Sequence, residues 1–134
     1  MKYALIFLLF ISGNALAQTS AKSPRTFKMD SFTVKQYYFV MLVKGPKRAE
    51  ITDTVLINKL QEEHLANIAK LSKKGKLMVA GPFGDDLDWR GIYIMDCETK
   101  EEAEALIATD PMIRAGMLAY QIHPWWTAMN SVFR

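Results

Sequence analysis

The stretch at residues 62–83, EEHLANIAKLSKKGKLMVAGPF, runs from a predicted helix through a stop signal into a predicted strand. Spacings of three and four residues bring one set of side chains onto a single helix face: Leu60, His64, Ile68 and Leu71. Gly75 can adopt the left-handed conformation that ends such a helix. Residues 76–80 then predict a short apolar strand, which the turn-forming pair Gly81-Pro82 closes. The unit is a helix, a strand and a turn, with one histidine in an otherwise apolar stripe.

The first 17 residues have the organisation of a secretory signal peptide. Lys2 precedes a short apolar run at residues 4–11, and Ala15-Leu16-Ala17 matches a small-x-small cleavage site. The run is shorter than the roughly 20 apolar residues that span a bilayer. We therefore expect cleavage after residue 17, a mature chain that is periplasmic or secreted, and no stable membrane insertion after cleavage.

The composition is that of one globular domain: 134 residues, of which 50% are hydrophobic and 23% charged. The formal net charge is only +3, and the cations are scattered among acidic residues. A concentrated basic face is missing from this pattern, so no nucleic-acid partner is expected. Cys97 is the only cysteine, which excludes an internal disulfide. A buried free thiol is the preferred interpretation, and pairing between chains is the alternative.

Residues 18–35 are rich in Ser, Thr and Lys without a sustained period, and they predict a polar linker. The composition changes at residue 36, and residues 36–126 are expected to form the folded domain. Residues 127–134 are expected to be a short C-terminal tail.

Within the domain, strands are predicted at residues 37–43, 76–80, 89–97 and 118–123. The first helix begins at a cap supplied by Thr52 or Asp53 and ends at Gly75. The second begins at the capping box Thr99-Lys100-Glu101-Glu102 and stops before Pro111. This order predicts an α+β fold of the ferredoxin-like βαββαβ type, with a four-stranded antiparallel sheet and two helices on one face.

The two strands expected at the centre of the sheet are apolar on both faces. The first reads YYFVMLV, and the other puts Ile92 and Ile94 on one face and Tyr93 and Met95 on the other. Two helices can cover only one face, and large exposed apolar patches are rare in monomers. We therefore expect a homodimer that packs sheet to sheet, a dimeric α+β barrel.

Two charged loops are possible ligand sites, but each has an ordinary structural interpretation. The loop at residues 44–53 carries Lys44, Lys47 and Arg48, which could meet an anionic ligand but are expected to be solvated. The turn at residues 81–88 carries three aspartates without the spacing of a calcium loop. Turn formation is the preferred interpretation, so no metal is expected.

With these elements placed, the chain resembles the YCII-related family over residues 38–126, about two thirds of its length. The pieces that carry the resemblance are, in order, His64 in EEHLANIAKL, GKLMVAGPF at residues 75–83, Arg90-Gly91-Ile92, EEAEAL followed by Asp110-Pro111 and Ala115-Gly116, and His123-Pro124-Trp125-Trp126. The resemblance implies a dimeric α+β barrel and a catalytic pair formed by His64 and Asp110. The predicted signal peptide is a departure from the usual cytoplasmic members.

Histidine changes its charge near neutral pH and therefore suits general acid/base chemistry, and a carboxylate partner would fix its tautomer. The other interpretation is a core histidine with one satisfied hydrogen bond and an aspartate that caps a helix. Three further residues are candidates for binding substrate. Arg90 could bind a carboxylate, Tyr93 is expected on the face turned away from the helices, and His123 is expected at the end of the last strand.

The leading hypothesis for function is a small enzyme that performs acid/base chemistry without a metal or a cofactor. It would isomerise, eliminate from or hydrolyse a small organic acid or lactone, with His64 as the base and Asp110 as its orienting partner. The alternative is a non-catalytic envelope protein that binds a small ligand or serves in assembly. A third hypothesis, a haem protein, requires a neutral histidine free to bind iron in a large cavity.

Overall fold

The computed structural model describes residues 24–131, so the predicted signal peptide lies outside the described part of the chain. Within this part, no helix is both long and apolar enough to cross a membrane. The elements follow in the order β1 (Thr26–Met29), β2 (Phe32–Lys44), α1 (Thr54–Lys73), β3 (Leu77–Pro82), β4 (Trp89–Met95), α2 (Lys100–Ile107), α3 (Pro111–Arg114) and β5 (Leu118–Ala128).

The sheet is antiparallel, and β2 lies at its centre. One edge of β2 pairs with β5 over residues 34–44, and the other pairs with β4 over residues 38–43. β3 pairs with the far side of β4. This is the strand order of a ferredoxin-like fold, with α1 and the short α2 and α3 on one face, so the predicted α+β class and βαββαβ order are confirmed. The sheet has five strands rather than four because β1 is an addition to this order.

The additional strand lies in the segment that was expected to be a linker. β1 pairs with residues 32–35 of β2, on the edge that β2 shares with β4. The guanidinium of Arg25 donates to Asp96 just after β4 and to Glu98, at 2.6 Å in both cases, and Lys35 also bonds to Asp96. The linker interpretation is therefore wrong from Thr26 onward. These contacts join residues about seventy positions apart, which a local pattern does not reveal.

The last strand also exceeds its prediction. β5 continues through His123-Pro124-Trp125-Trp126 to Ala128, although these residues were expected to end it, so the predicted tail lies in the strand at residues 127–128. Among the described strands β5 pairs with β2 alone and is an edge strand. A proline lacks an N–H and is tolerated at an edge, where one side of the strand needs no ladder hydrogen bond.

The predicted helix boundaries are confirmed by the cap geometry. Asp53 caps α1 through the amides of Val55 and Leu56, and Gly75 follows that helix with a φ of 67°. Thr99 caps α2 by accepting from the amide of Glu102. Asp110 caps α3, and Pro111 takes the first helical position, where its missing N–H costs nothing.

The core lies between the helices and one face of the sheet. Residues of even number in β2 and of odd number in β4 point into it, and the fully buried members include Val40, Met95, Cys97 and Ile107. The opposite face carries half-buried apolar side chains that none of the three helices covers, among them Phe39, Met41 and Ile92. This uncovered face is the one through which the expected homodimer would pack.

Candidate active site

The two predicted catalytic residues are in direct contact. Nδ1 of His64, in the middle of α1, lies 2.7 Å from Oδ2 of Asp110, which caps α3. His64 is 8% exposed and Asp110 is fully buried. The contact arises because His64 lies on the helix face that packs on the sheet, while the turn after α2 brings Asp110 beneath it. Helical periodicity fixed the first position, and the docking of α3 on α1 fixed the second.

Asp110 holds three donors at once. Its Oδ2 accepts from His64 and from the hydroxyl of Tyr93 at 3.1 Å, and its Oδ1 accepts from the backbone amide of Met112 at 2.9 Å. Burial, and then the neighbouring Asp110 carboxylate, raise the pKa of Tyr93 far above its ordinary value, so the phenol stays protonated and acts as a donor. The carboxylate is thus fixed in position by α3 and by β4 before any ligand arrives.

This arrangement sets the tautomer of His64. A carboxylate oxygen only accepts hydrogen bonds, so Nδ1 carries a proton, and in the neutral ring Nε2 has the lone pair. Nε2 makes no hydrogen bond with any described residue. It is nevertheless not a buried atom without a partner, because Nε of Arg25 is the only such side-chain atom among the described residues. Nε2 therefore keeps access to solvent. The ring of His64 also stacks on the ring of Tyr93, with centroids 6.4 Å apart, which limits rotation of the imidazole.

The solvent that His64 meets is in a cavity of about 370 Å³ between α1 and the sheet, a size typical of sites for small molecules. One face of α1 forms one wall through Ile57, Gln61, His64 and Ile68. The opposite wall comes from the end of β3 and from the starts of β4 and β5. An imidazole nitrogen thus faces a mostly apolar space that is large enough for a small organic ligand.

Arg90, predicted to bind substrate, does line this cavity. Its Nη1 donates to the carboxylate of Asp86 at 2.9 Å and to the carbonyls of Asp85 and Leu87 at 3.3 Å. The acidic turn at residues 85–88 therefore holds a cationic side chain at the cavity wall. The binding role of Arg90 stays a prediction.

The structure places the other two candidates differently from the predictions. Tyr93 faces the helices and contacts Asp110, so its assignment to the far face is wrong. The predicted alternation along β4 is present, but the helices cover the face that carries Tyr93 and Met95. His123 is exposed, pairs with Phe39, and lies on the face opposite the cavity, so it does not join His64. Strand alternation decides this placement, because residues of odd number in β5 point away from the helices.

Two polar residues at the cavity were not among the predicted site residues. Gln61 precedes His64 by one helical turn, a spacing that could have identified it. Arg48 comes from the loop after β2 and was expected to be solvated, yet it lines the cavity. Its sequence neighbours gave no signal that separates it from Lys44 and Lys47.

The fold and the cavity define a class: a ferredoxin-like α+β domain with a buried carboxylate that orients a histidine at the edge of a small-molecule cavity. The chain belongs to the YCII-related family, whose domain model matches residues 38–126. No curated protein matches the chain. A similar solved structure is 5-chloro-2-hydroxyhydroquinone dehydrochlorinase (TftG) from Burkholderia phenoliruptrix AC1100, in complex with 2,5-dihydroxybenzoquinone. It is 25% identical, the match covers 66% of this chain and 92% of that chain, and the TM-score is 0.47.

Proposed function

We propose that this protein is a cofactor-free acid/base enzyme of isomerase, lyase or hydrolase type that acts on a small organic acid or lactone. The observation that carries the proposal is the 2.7 Å contact between His64 and Asp110, which leaves Nε2 at the wall of the cavity. Membership of the YCII-related family is in keeping with a small-molecule site in this domain.

In the proposed reaction, Nε2 of His64 accepts a proton from a carbon next to a carbonyl group, or from water that attacks a lactone. The imidazolium that forms is stabilised by Asp110, which the amide of Met112 and the hydroxyl of Tyr93 hold in place. The proton then returns to another carbon in an isomerisation, or to the leaving group in an elimination or hydrolysis. No net change in oxidation state occurs, so no redox partner is needed.

The test compares two histidine variants. A thermal-shift screen of small acids, lactones and quinones first selects the compounds that stabilise the protein. His64→Asn keeps a donor that can reach Asp110 but removes Nε2, so the folded protein should bind these compounds and lose turnover by at least about a hundredfold. His123→Ala, on the opposite face, is the control and should keep turnover. Unchanged turnover in His64→Asn would remove the mechanism.

A second candidate function is a non-catalytic envelope protein that binds a small ligand or serves in assembly. It is favoured by the amide of Met112, because an aspartate that caps α3 is also a structural tie. For such a protein, His64→Asn would alter melting temperature and ligand affinity, and none of the stabilising compounds would be converted.

Export and dimerisation complete the proposal. Export rests on residues 1–17 and predicts that mass spectrometry of the periplasmic or secreted protein finds Gln18 at the N-terminus; retention of Met1 would contradict it.

The homodimer rests on the half-buried apolar face of the sheet that no described helix covers. Size-exclusion chromatography with light scattering should give twice the chain mass, whereas a stable monomer at micromolar concentration would contradict it.

A further inference from the structure

We propose that Arg48 is the residue by which the cavity recognises the charged carboxylate of its ligand, so that acids are selected over neutral lactones, amides and esters. This inference rests on the proposed function and names the substrate class of the same site. It goes beyond Arg90, because the two arginines at the cavity are in different electrostatic states.

The charge balance of the cavity carries the argument. Its lining contains two permanent cations, Arg48 and Arg90, and no carboxylate. Arg90 already has a counter-charge in Asp86, at 2.9 Å. Arg48 makes neither an ion pair nor a side-chain hydrogen bond with any residue that the structure describes, although it is half-buried. One uncompensated positive charge therefore faces a mostly apolar space, which suits a ligand with one carboxylate and an apolar body.

The backbone around Arg48 is held in place rather than left to solvent. The amides of Gly45 and Lys47 donate to the carbonyls of Met117 and Gly116, both at 3.0 Å, and the amide of Arg48 donates to Gly45 at 3.1 Å. These bonds fasten the loop to the turn that follows α3. Since Asp110 caps α3, the same short helix connects the support of Arg48 with the support of His64.

A planar guanidinium at a partly desolvated wall discriminates between charged and neutral oxygen groups. It can donate two parallel hydrogen bonds to a carboxylate, whereas an amide or ester offers neither the charge nor two equivalent oxygens. Once the carboxylate is held by Arg48, the rest of the ligand lies in the cavity that Nε2 of His64 also faces. In this arrangement Arg48 is a binding residue, and the proton transfer is left to His64.

The test measures binding of matched pairs by calorimetry: benzoate and benzamide, 2-furoate and 2-furamide, and levulinate and levulinamide. The full-length mature protein should bind at least one acid about tenfold or more tightly than its amide. Arg48→Gln should abolish this preference, and Arg48→Lys should restore part of it because the charge returns without the planar fork. Arg114→Gln makes the same charge change at an exposed site outside the cavity and should keep the preference.

Three outcomes would overturn the inference: no binding of any of the three acids, equal affinity for acid and amide, or an unchanged preference in Arg48→Gln. Its failure is distinct from failure of the proposed function. If Arg48→Gln loses the acid preference while His64→Asn retains turnover, the mechanism is contradicted and the binding role of Arg48 is supported. If Arg48→Gln keeps the acid preference while His64→Asn loses turnover, the binding role is contradicted and the mechanism is supported.

Discussion

His64 Nδ1 lies 2.7 Å from Asp110 Oδ2 across 46 residues of sequence, and the carboxylate oxygen that it meets also accepts from Tyr93. This relationship fixes a proton on Nδ1 and leaves Nε2 on the side of the cavity. The consequence can be measured before any substrate is known, because the tautomer of a histidine is visible in solution.

The first prediction concerns that tautomer. In two-bond ¹H–¹⁵N spectra at mildly alkaline pH, His64 should be protonated at Nδ1 and unprotonated at Nε2, since Asp110 offers only acceptors. Asp110→Asn should reverse the assignment, because an amide nitrogen donates to Nδ1. His123, which is exposed, supplies the reference and should not respond to Asp110→Asn. A His64 protonated at Nε2 in the unmodified protein would contradict the geometry.

The second prediction compares two helix caps. Asp110→Ala removes the cap of α3 and strands two buried donors, so it should lower the free energy of unfolding by about 3 kcal/mol. Asp53→Ala removes the exposed cap of α1 alone and should cost about 1 kcal/mol. Urea unfolding of both variants measures the difference. Equal losses would mean that the contacts of Asp110 with His64 and Tyr93 add nothing to stability.

The third prediction is an acid destabilisation that depends on Asp96. Burial alone would raise the pKa of Asp96, but hydrogen bonds from Lys35 and Arg25 outweigh it and lower the pKa below the ordinary value. A carboxyl with a lowered folded-state pKa stabilises the protein above its unfolded pKa of about 4, and this contribution is lost as pH falls through the folded-state value.

The melting temperature of the unmodified protein should therefore exceed that of Asp96→Asn near neutral pH, and the gap should narrow as the pH falls below about 4. Glu50→Gln changes an exposed glutamate that makes no ion pair with the described residues, and it should leave the curve unchanged. A difference in melting temperature that does not change with pH would show that the ion pairs of Asp96 with Arg25 and Lys35 do not stabilise the pairing of β1 with β2.

The fourth prediction uses two loop glycines. A Cβ at Gly45 would lie 2.2 Å from the carbonyl oxygen of Gly116, so the two backbones must separate in Gly45→Ala. We expect a loss of about 2 kcal/mol or more in unfolding free energy. Gly84→Ala meets no atom within 4 Å and should stay within about 0.5 kcal/mol. Comparable melting temperatures would mean that the loop carrying Arg48 is not tightly docked.

The fifth prediction concerns Cys97. Burial, followed by the charge of Glu102, raises the pKa of its thiol to about 11. The thiolate is the reactive form, so alkylating reagents should leave the native protein unmodified at mildly alkaline pH and react fully after denaturation. Rapid modification of the native protein would place Cys97 at the surface and revive the alternative of a disulfide between chains.

The sequence by itself determined the main helices and strands of the central domain, because these follow from local rules. Helical spacing placed His64 among the buried positions of α1, and Asp53 and Gly75 marked the ends of that helix. The Asp110-Pro111 dipeptide indicated a helix cap. The resemblance of the chain to the YCII-related family then singled out His64 and Asp110 from the other polar residues. Their contact could not be predicted, since it depends on how α3 docks on α1.

The tertiary structure alone decided which face each strand turns to the helices and which loop cation meets the cavity. The alternation along a strand separates its side chains into two faces, but it does not show which face the helices cover. The sequence therefore could not predict that Tyr93 points towards the helices. Arg25 and Arg48 acquired their surroundings from residues distant in the chain: Asp96 in one case, and the turn after α3 in the other. Local sequence fixes periodicity and caps, whereas packing between distant segments fixes sidedness, contact and charge balance.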